Sequence, residues 1–173
     1  MMKRWWPFAV MAVVGLIDRA SKHWIETSMD AWDIHRIIPG LFQIVHTRNE
    51  GIAFGLFSET GSNKLLIVFS IVVLALVGWM LWTACRNKQS EHWTMRAALG
   101  LVLGGAMGNL YDRVAFGSVT DFLDFFVGHS HFPVFNFADS AISVGAALLL
   151  INLWWVRRPC EPGSESPRSS ESR

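Results

Sequence analysis

The chain has 173 residues, of which 51% are hydrophobic and nine are Trp, and only 17% are charged. That composition, with a mean hydropathy above zero, excludes an ordinary soluble domain of this size and predicts a small polytopic membrane protein. A net charge of +1 without a basic patch interleaved with aromatics argues against a nucleic-acid partner, and two cysteines, Cys85 and Cys160, are too few and too far apart for a disulfide framework or paired metal ligands.

Lys3-Arg4 precedes an apolar run from Trp5 to Ile17 that resembles the core of a secretory signal peptide but lacks a small-residue cleavage site after it. Continued through Asp18 to Ile25, the run becomes a membrane span over residues 5–25. Asp18 and Lys22 stand at i and i+4 and neutralise each other on one helix face. Either the pair makes the helix end tolerable or it belongs to a site. Trp24 is placed for the interfacial aromatic belt. Between Glu26 and Asn63, turn residues mix with short alternating segments such as Gly40 to Thr47, which predicts a small extramembrane β element. The segment Arg48 to Gly55 follows, its small residues allowing a tight backbone path. From spacing alone Asn49 reads as a turn residue.

Residues 65–84 are nearly pure hydrocarbon and form a second span. The connection from Cys85 to Arg96 carries Arg86, Lys88 and Arg96 against one acid, Glu91. A third span covers 97–114, with Gly100, Gly104 and Gly108 at successive i+4 positions, a face on which another helix can pack closely. One residue round lie Gly105, Asn109 and Arg113, which brings Asn109 and Arg113 to a helix seam. Arg113 alternatively snorkels to the interface, with Asp112 as its surface partner. The fourth span, 137–156, ends in Trp154-Trp155 and Arg157-Arg158, and the polar tail 159–173 is expected to be disordered. The fold class is thus membrane all-α with four spans and a β element between the first two, in one domain over 1–158. Basic residues at both termini and in the second loop predict that these are cytoplasmic. Asp18, Lys22, Asn109, Arg113, Asp121 and Asp139 then gather near the outer face.

Asp139 falls in the first turn of the fourth span, where a carboxylate is costly and suggests a functional role. Asn136 and Asp139 also read as a helix start, a cap followed by an acid at the positive end of the dipole. A cap does not need a stripe, however, and Asn136, Asp139, Ser140 and Ser143 form one. Val119 to Asp124 is β-branched and aromatic, favouring an extended form in which Asp121 and Asp124 point to opposite sides. The chain has no Gly-x-Ser-x-Gly elbow, His-Glu-x-x-His pair or phosphate loop, and His129 and His131 alone make no metal site. Neither metal nor cofactor is expected. Two nearby carboxyls cannot both ionise cheaply, so one keeps a proton while the other activates water. Such a pair suggests aspartyl peptide hydrolysis.

The motifs Asp18-x-x-x-Lys22, Asn49-Glu-Gly-Ile-Ala-Phe54, Gly104-Gly-Ala-Met-Gly-Asn-Leu-Tyr-Asp-Arg113, Val119-Thr-Asp-Phe122 and Phe135-Asn-Phe-Ala-Asp-Ser-Ala-Ile142 occur in that order. Together they resemble the lipoprotein signal peptidase family, also called signal peptidase II, from the first helix to the fourth. The resemblance implies a bacterial inner-membrane endopeptidase with four helices. It would remove the signal peptide of diacylglyceryl-modified prolipoproteins, just before the lipidated cysteine. It also implies Asp121 and Asp139 as the catalytic pair, with Asp18, Lys22, Asn49, Gly51, Asn109, Arg113 and Asn136 in support. Further implications are contact with membrane lipids, a monomer, and sensitivity to the cyclic peptide globomycin. Where many members have Asp-Gln and Asn-Thr-Gly-Ala-Ala-Phe-Ser, this chain has Asp18-Arg19 and Asn49-Glu50-Gly51-Ile52-Ala53-Phe54-Gly55, departures that bear on substrate preference.

Membrane carboxylates also serve proton relays, so a proton-coupled transporter is the rival class. Four spans without an inverted repeat or interrupted helices leave it little room for alternating access. A structural subunit would explain the glycine face but not the aspartates.

Overall fold

The computed structural model describes residues 5–51, 62–86 and 93–156. Ile52, Phe54 and Gly55 of the loop motif, the basic residues Lys3, Arg4, Lys88, Arg157 and Arg158, Cys160 and the polar tail lie outside the described residues. In chain order the elements are α1 (Trp6–Ser28), β1 (Ile34–Ile38), β2 (Phe42–Asn49), α2 (Ser62–Arg86), α3 (Trp93–Phe116), β3 (Val119–Val127), β4 (Ser130–His131) and α4 (Phe137–Val156).

The shortest helix, α4, has 20 residues, about 30 Å at 1.5 Å per residue and so enough to match a bilayer's hydrocarbon core. Asn63–Arg86 and Phe137–Trp154 are both long and apolar enough to cross a membrane. They leave large apolar side chains on the outside, among them Phe69, Val72, Leu76 and Trp79 of α2 and Leu150 and Leu153 of α4. Outward-facing hydrocarbon of this kind marks helices whose solvent is lipid. In α1 and α3 the charges point inward instead: Asp18, Lys22, Arg96 and Asp112 are all buried.

Packing centres on α3, which touches each of the other three helices. Glycines explain how closely it is approached. A Cβ at Gly100 would stand 2.7 Å from the Pro7 carbonyl oxygen, and one at Gly104 2.7 Å from that of Met11. One at Gly108 would strike the carboxylate of Asp18. The predicted stripe is therefore the seam with α1. Gly105, one residue round, faces Ala138 and Ile142 and makes the seam with α4. At the far end Leu81, Cys85, Leu99 and Leu103 form an apolar core between α2 and α3.

The predicted β element exists but is larger than expected and is not confined to the α1–α2 connection. Four antiparallel strands in the order β1-β2-β3-β4 draw two members from between α3 and α4. A hairpin alone is marginal in water, and β3 supplies the third strand that makes such a sheet stable. Ile25, Met29 and Phe122 fasten the sheet to the end of α1. β2 runs against β3 with Thr47 opposite Asp121 and Gln43 opposite Asp124, across a register shift between Ile44 and Thr47. Phe135, just before α4, accepts hydrogen bonds from the Phe122 and Leu123 amides and donates one to the Leu123 carbonyl. The strand bearing Asp121 is thereby tied to the start of the helix bearing Asp139.

Candidate active site

The first turn of α4 is the keystone. Asn136 caps it: its Oδ1 accepts the Asp139 amide at 3.0 Å, while Asp139 Oδ2 accepts the Asn136 amide at 3.3 Å. This reciprocal pairing satisfies two backbone donors that a helix start otherwise leaves open. A third, the Ala138 amide, donates to Asp18 Oδ1 of α1 at 3.0 Å, putting a carboxylate at the positive end of the helix. The helix-start reading of Asn136 and Asp139 is thus realised, and so is the stripe, because Asp139, Ser140 and Ser143 line one cleft.

That cleft encloses about 780 Å³, and Asp121 stands on its wall with Asp139. Asp121 is only 3% exposed. Its Oδ1 accepts Asn136 Nδ2 at 2.7 Å and its Oδ2 accepts Asn49 Nδ2 at 3.0 Å. Burial pushes its carboxyl up from 3.8 to about 6, against the hydrogen bonds from Asn49 and Asn136 and with the help of the neighbouring Asp139. A carboxyl so placed keeps its proton to higher pH than an ordinary one does, up to about 6. Phe132, Pro133, Val134, Phe135 and Val144 give the cleft an apolar side.

Every sequence-predicted site residue comes to this place. Asn109 Nδ2 donates to Asp139 Oδ1 at 2.7 Å, and Asn109 Oδ1 accepts Asn136 Nδ2 at 3.2 Å. Lys22 Nζ donates to Asp18 Oδ2 at 2.8 Å and to Asn109 Oδ1 at 3.0 Å. Asn49 is both site and turn, since its Oδ1 accepts the Gly51 amide at 3.1 Å. Gly51 and Arg113 line the cleft, and Arg113 donates to the Asn109 carbonyl at 3.3 Å.

One expectation is corrected. Asp112 is not a surface partner of Arg113: it is 1% exposed and its Oδ2 lies 2.8 Å from Lys22 Nζ, with Arg19 at 3.8 Å from Oδ1. It continues the α1-facing stripe Gly100, Gly104, Gly108 by one more i+4 step, a signal present in the sequence. Asp124, for which the sequence leaves a structural or a solvent-facing place, takes the structural one. It points away from Asp121, accepting Gln43 Nε2 at 2.7 Å with His131 Nδ1 2.9 Å away. The sequence reading also missed a clamp on β3. Glu26 Oε1 accepts Thr120 Oγ1 at 2.8 Å, while Arg19 pairs with Glu26 at 3.1 Å.

Residues 10–155 match the sequence model of the signal peptidase (SPase) II family. The chain is 42% identical over 158 residues to the lipoprotein signal peptidase of Solibacter usitatus (strain Ellin6076), covering 90% of this chain and 94% of that protein. It is 36% identical over 157 residues to that of Maridesulfovibrio salexigens, covering 88% and 98%. The fold resembles a bacterial membrane enzyme structure obtained by the in meso method at 2.3 Å resolution. The TM-score is 0.77 at 29% identity, over 90% of this chain and 93% of that one. A second such structure, at 1.9 Å, gives 0.74 at 30% identity over 85% and 91%.

Proposed function

Because the chain belongs to the signal peptidase II family, we propose that Asp121 and Asp139 are the pair with which it cuts its substrates. The activity follows from membership: this is an aspartic peptidase of the bacterial membrane that removes signal peptides from prolipoproteins. The observation that carries the residue assignment is Asn136, whose side chain meets Asp121 and the Asp139 amide at the wall of one cleft.

In this reading Asp139 is the carboxylate that takes a proton from the attacking water, and Asp121, raised to about 6, is the acid that protonates the leaving amine. Asn49, Asn109 and Asn136 hold the acids by hydrogen bonds. Arg113 places a positive charge beside both, suited to the oxyanion that forms on the scissile carbonyl. The apolar side from Phe132 to Phe135, with Val144, suits an extended signal-peptide segment and the diacylglyceryl group on the cysteine that follows the cut. All four helices span the bilayer, the sheet lies outside it, and the termini are cytoplasmic, so the cleft opens near the outer face. The enzyme works as a monomer, and globomycin-type cyclic peptides compete for the same cleft.

The test is cleavage of a purified lipid-modified prolipoprotein, read as a gel shift. Asp121→Asn and Asp139→Asn are each expected to fold and to lose several orders of magnitude in rate, since Asn keeps the shape but cannot exchange the proton. Cleavage near the wild-type rate by either variant would overturn the assignment.

A further inference from the structure

Lys22 is fully buried and does not line the cleft, so it touches the two acids only through other side chains, although its charge lowers the Asp121 carboxyl. Its ammonium donates to Asp18 Oδ2 and to Asn109 Oδ1, and Asp112 Oδ2 stands 2.8 Å away as a second counter-charge. Asn109 Oδ1 therefore receives two donors, Lys22 Nζ and Asn136 Nδ2, while Asn109 Nδ2 faces Asp139 Oδ1 at 2.7 Å. Turned over, the amide would set its NH2 against two donors and its oxygen against a carboxylate, replacing three attractions with three repulsions. An ammonium has no acceptor capacity, so it admits one orientation only. Asn136 inherits that choice: with Asn109 Oδ1 taking one of its N–H groups, the other goes to Asp121 Oδ1 at 2.7 Å.

We propose that Lys22 is a positioning residue that locks the Asn109 amide, and through it that of Asn136, so that each presents an N–H to one of the two acids. The proposal rests on Asp121 and Asp139 being the reacting pair. It departs from a substrate-binding role for Lys22, which would need contact with the cleft. Asp112 acts one step further back, holding the ammonium in place without touching either amide.

The charged groups facing this centre are Asp18 and Lys22 from α1, Asp112 and Arg113 from α3, Asp121 from β3 and Asp139 from α4. Arg19 and Glu26 close it on the α1 side. Lys22→Met keeps the stem but removes charge and donor. Its pH–rate profile, normalised to folded protein, is expected to keep a maximum about 100-fold below wild type, the scale of losing one oriented donor. KM should stay within about threefold, since no cleft contact is lost. The basic limb should move to higher pH, because the Asp121 carboxyl loses a positive charge that lowers it. Full recovery of kcat at higher pH would reduce Lys22 to a source of charge and overturn the proposal. A raised KM with unchanged kcat would instead make it a binding residue. Should Lys22→Met fail to fold, Lys22→Met/Asp112→Asn leaves no unmatched Asp112 carboxylate and carries the same expectations. Asp139→Asn run alongside separates the two readings. Its activity would sink the catalytic pair itself, whereas a dead Asp139→Asn beside a wild-type-like Lys22→Met would sink the positioning role alone.

Discussion

Asp121 passes from an ordinary carboxyl value of 3.8 to about 6 on folding, so the folded protein holds its proton more tightly than the unfolded chain does. The stability this contributes is complete below about 3.8 and is lost as pH rises through about 6. Ionised at neutral pH, the group costs the fold on the order of 3 kcal/mol. Asp121→Asn should thus melt above wild type at about pH 7 while abolishing cleavage, and the gap should close towards about pH 4. Parallel melting curves in the same detergent check this, and equal melting temperatures at both ends would contradict the burial argument. Asp124 supplies the contrast. It is as buried as Asp121 but faces Gln43 and His131 on the other side of β3. Asp124→Asn is expected to keep its rate within about tenfold of wild type, since it touches no reacting group. A dead Asp124→Asn beside a working Asp121→Asn would reverse the assignment.

At the level of elements, α3 presents two glycine seams, one to α1 and one to α4. Its C-terminal end carries Asn109 and Asp112, which meet the polar groups of both neighbours. Gly104→Leu would drive a side chain into the Met11 carbonyl and Val14, where a Cβ alone already comes within 2.7 Å. Overpacking of this kind costs about 1–3 kcal/mol or more when backbone must move. The variant should therefore lose thermal stability and yield, with activity falling in step with the folded fraction. Wild-type melting and rate would show that the seam does not depend on close approach. The i+4 spacing made this face legible because a helix repeats its geometry. Which neighbour each face meets was not legible, since α1 and α4 are related to α3 only through the closed bundle.

At the scale of the whole molecule, the basic residues at both ends and in the second loop predict an orientation. A reporter fused after Arg158 is expected to report cytoplasm and one inserted near Gly61 the outer side. The reverse result would put the cleft in the wrong compartment for an exported substrate. What the sequence determined by itself follows from local and periodic chemistry. Hydrocarbon runs of bilayer length marked helices, alternation marked β2, and the stripe from Asn136 to Ser143 marked the polar wall of the cleft. The ordered motifs singled out Asp121 and Asp139. What only the tertiary structure decided is whom each polar group meets. Asp18 caps a helix 120 positions away, Lys22 bonds to Asn109 across 87, and Asp112 turns inward to an ammonium rather than outward beside Arg113. Strands from two separate connections close into one sheet. A buried charge is tolerated only where a partner arrives, and in this chain the partners arrive from distant helices, so only the assembled bundle assigns them.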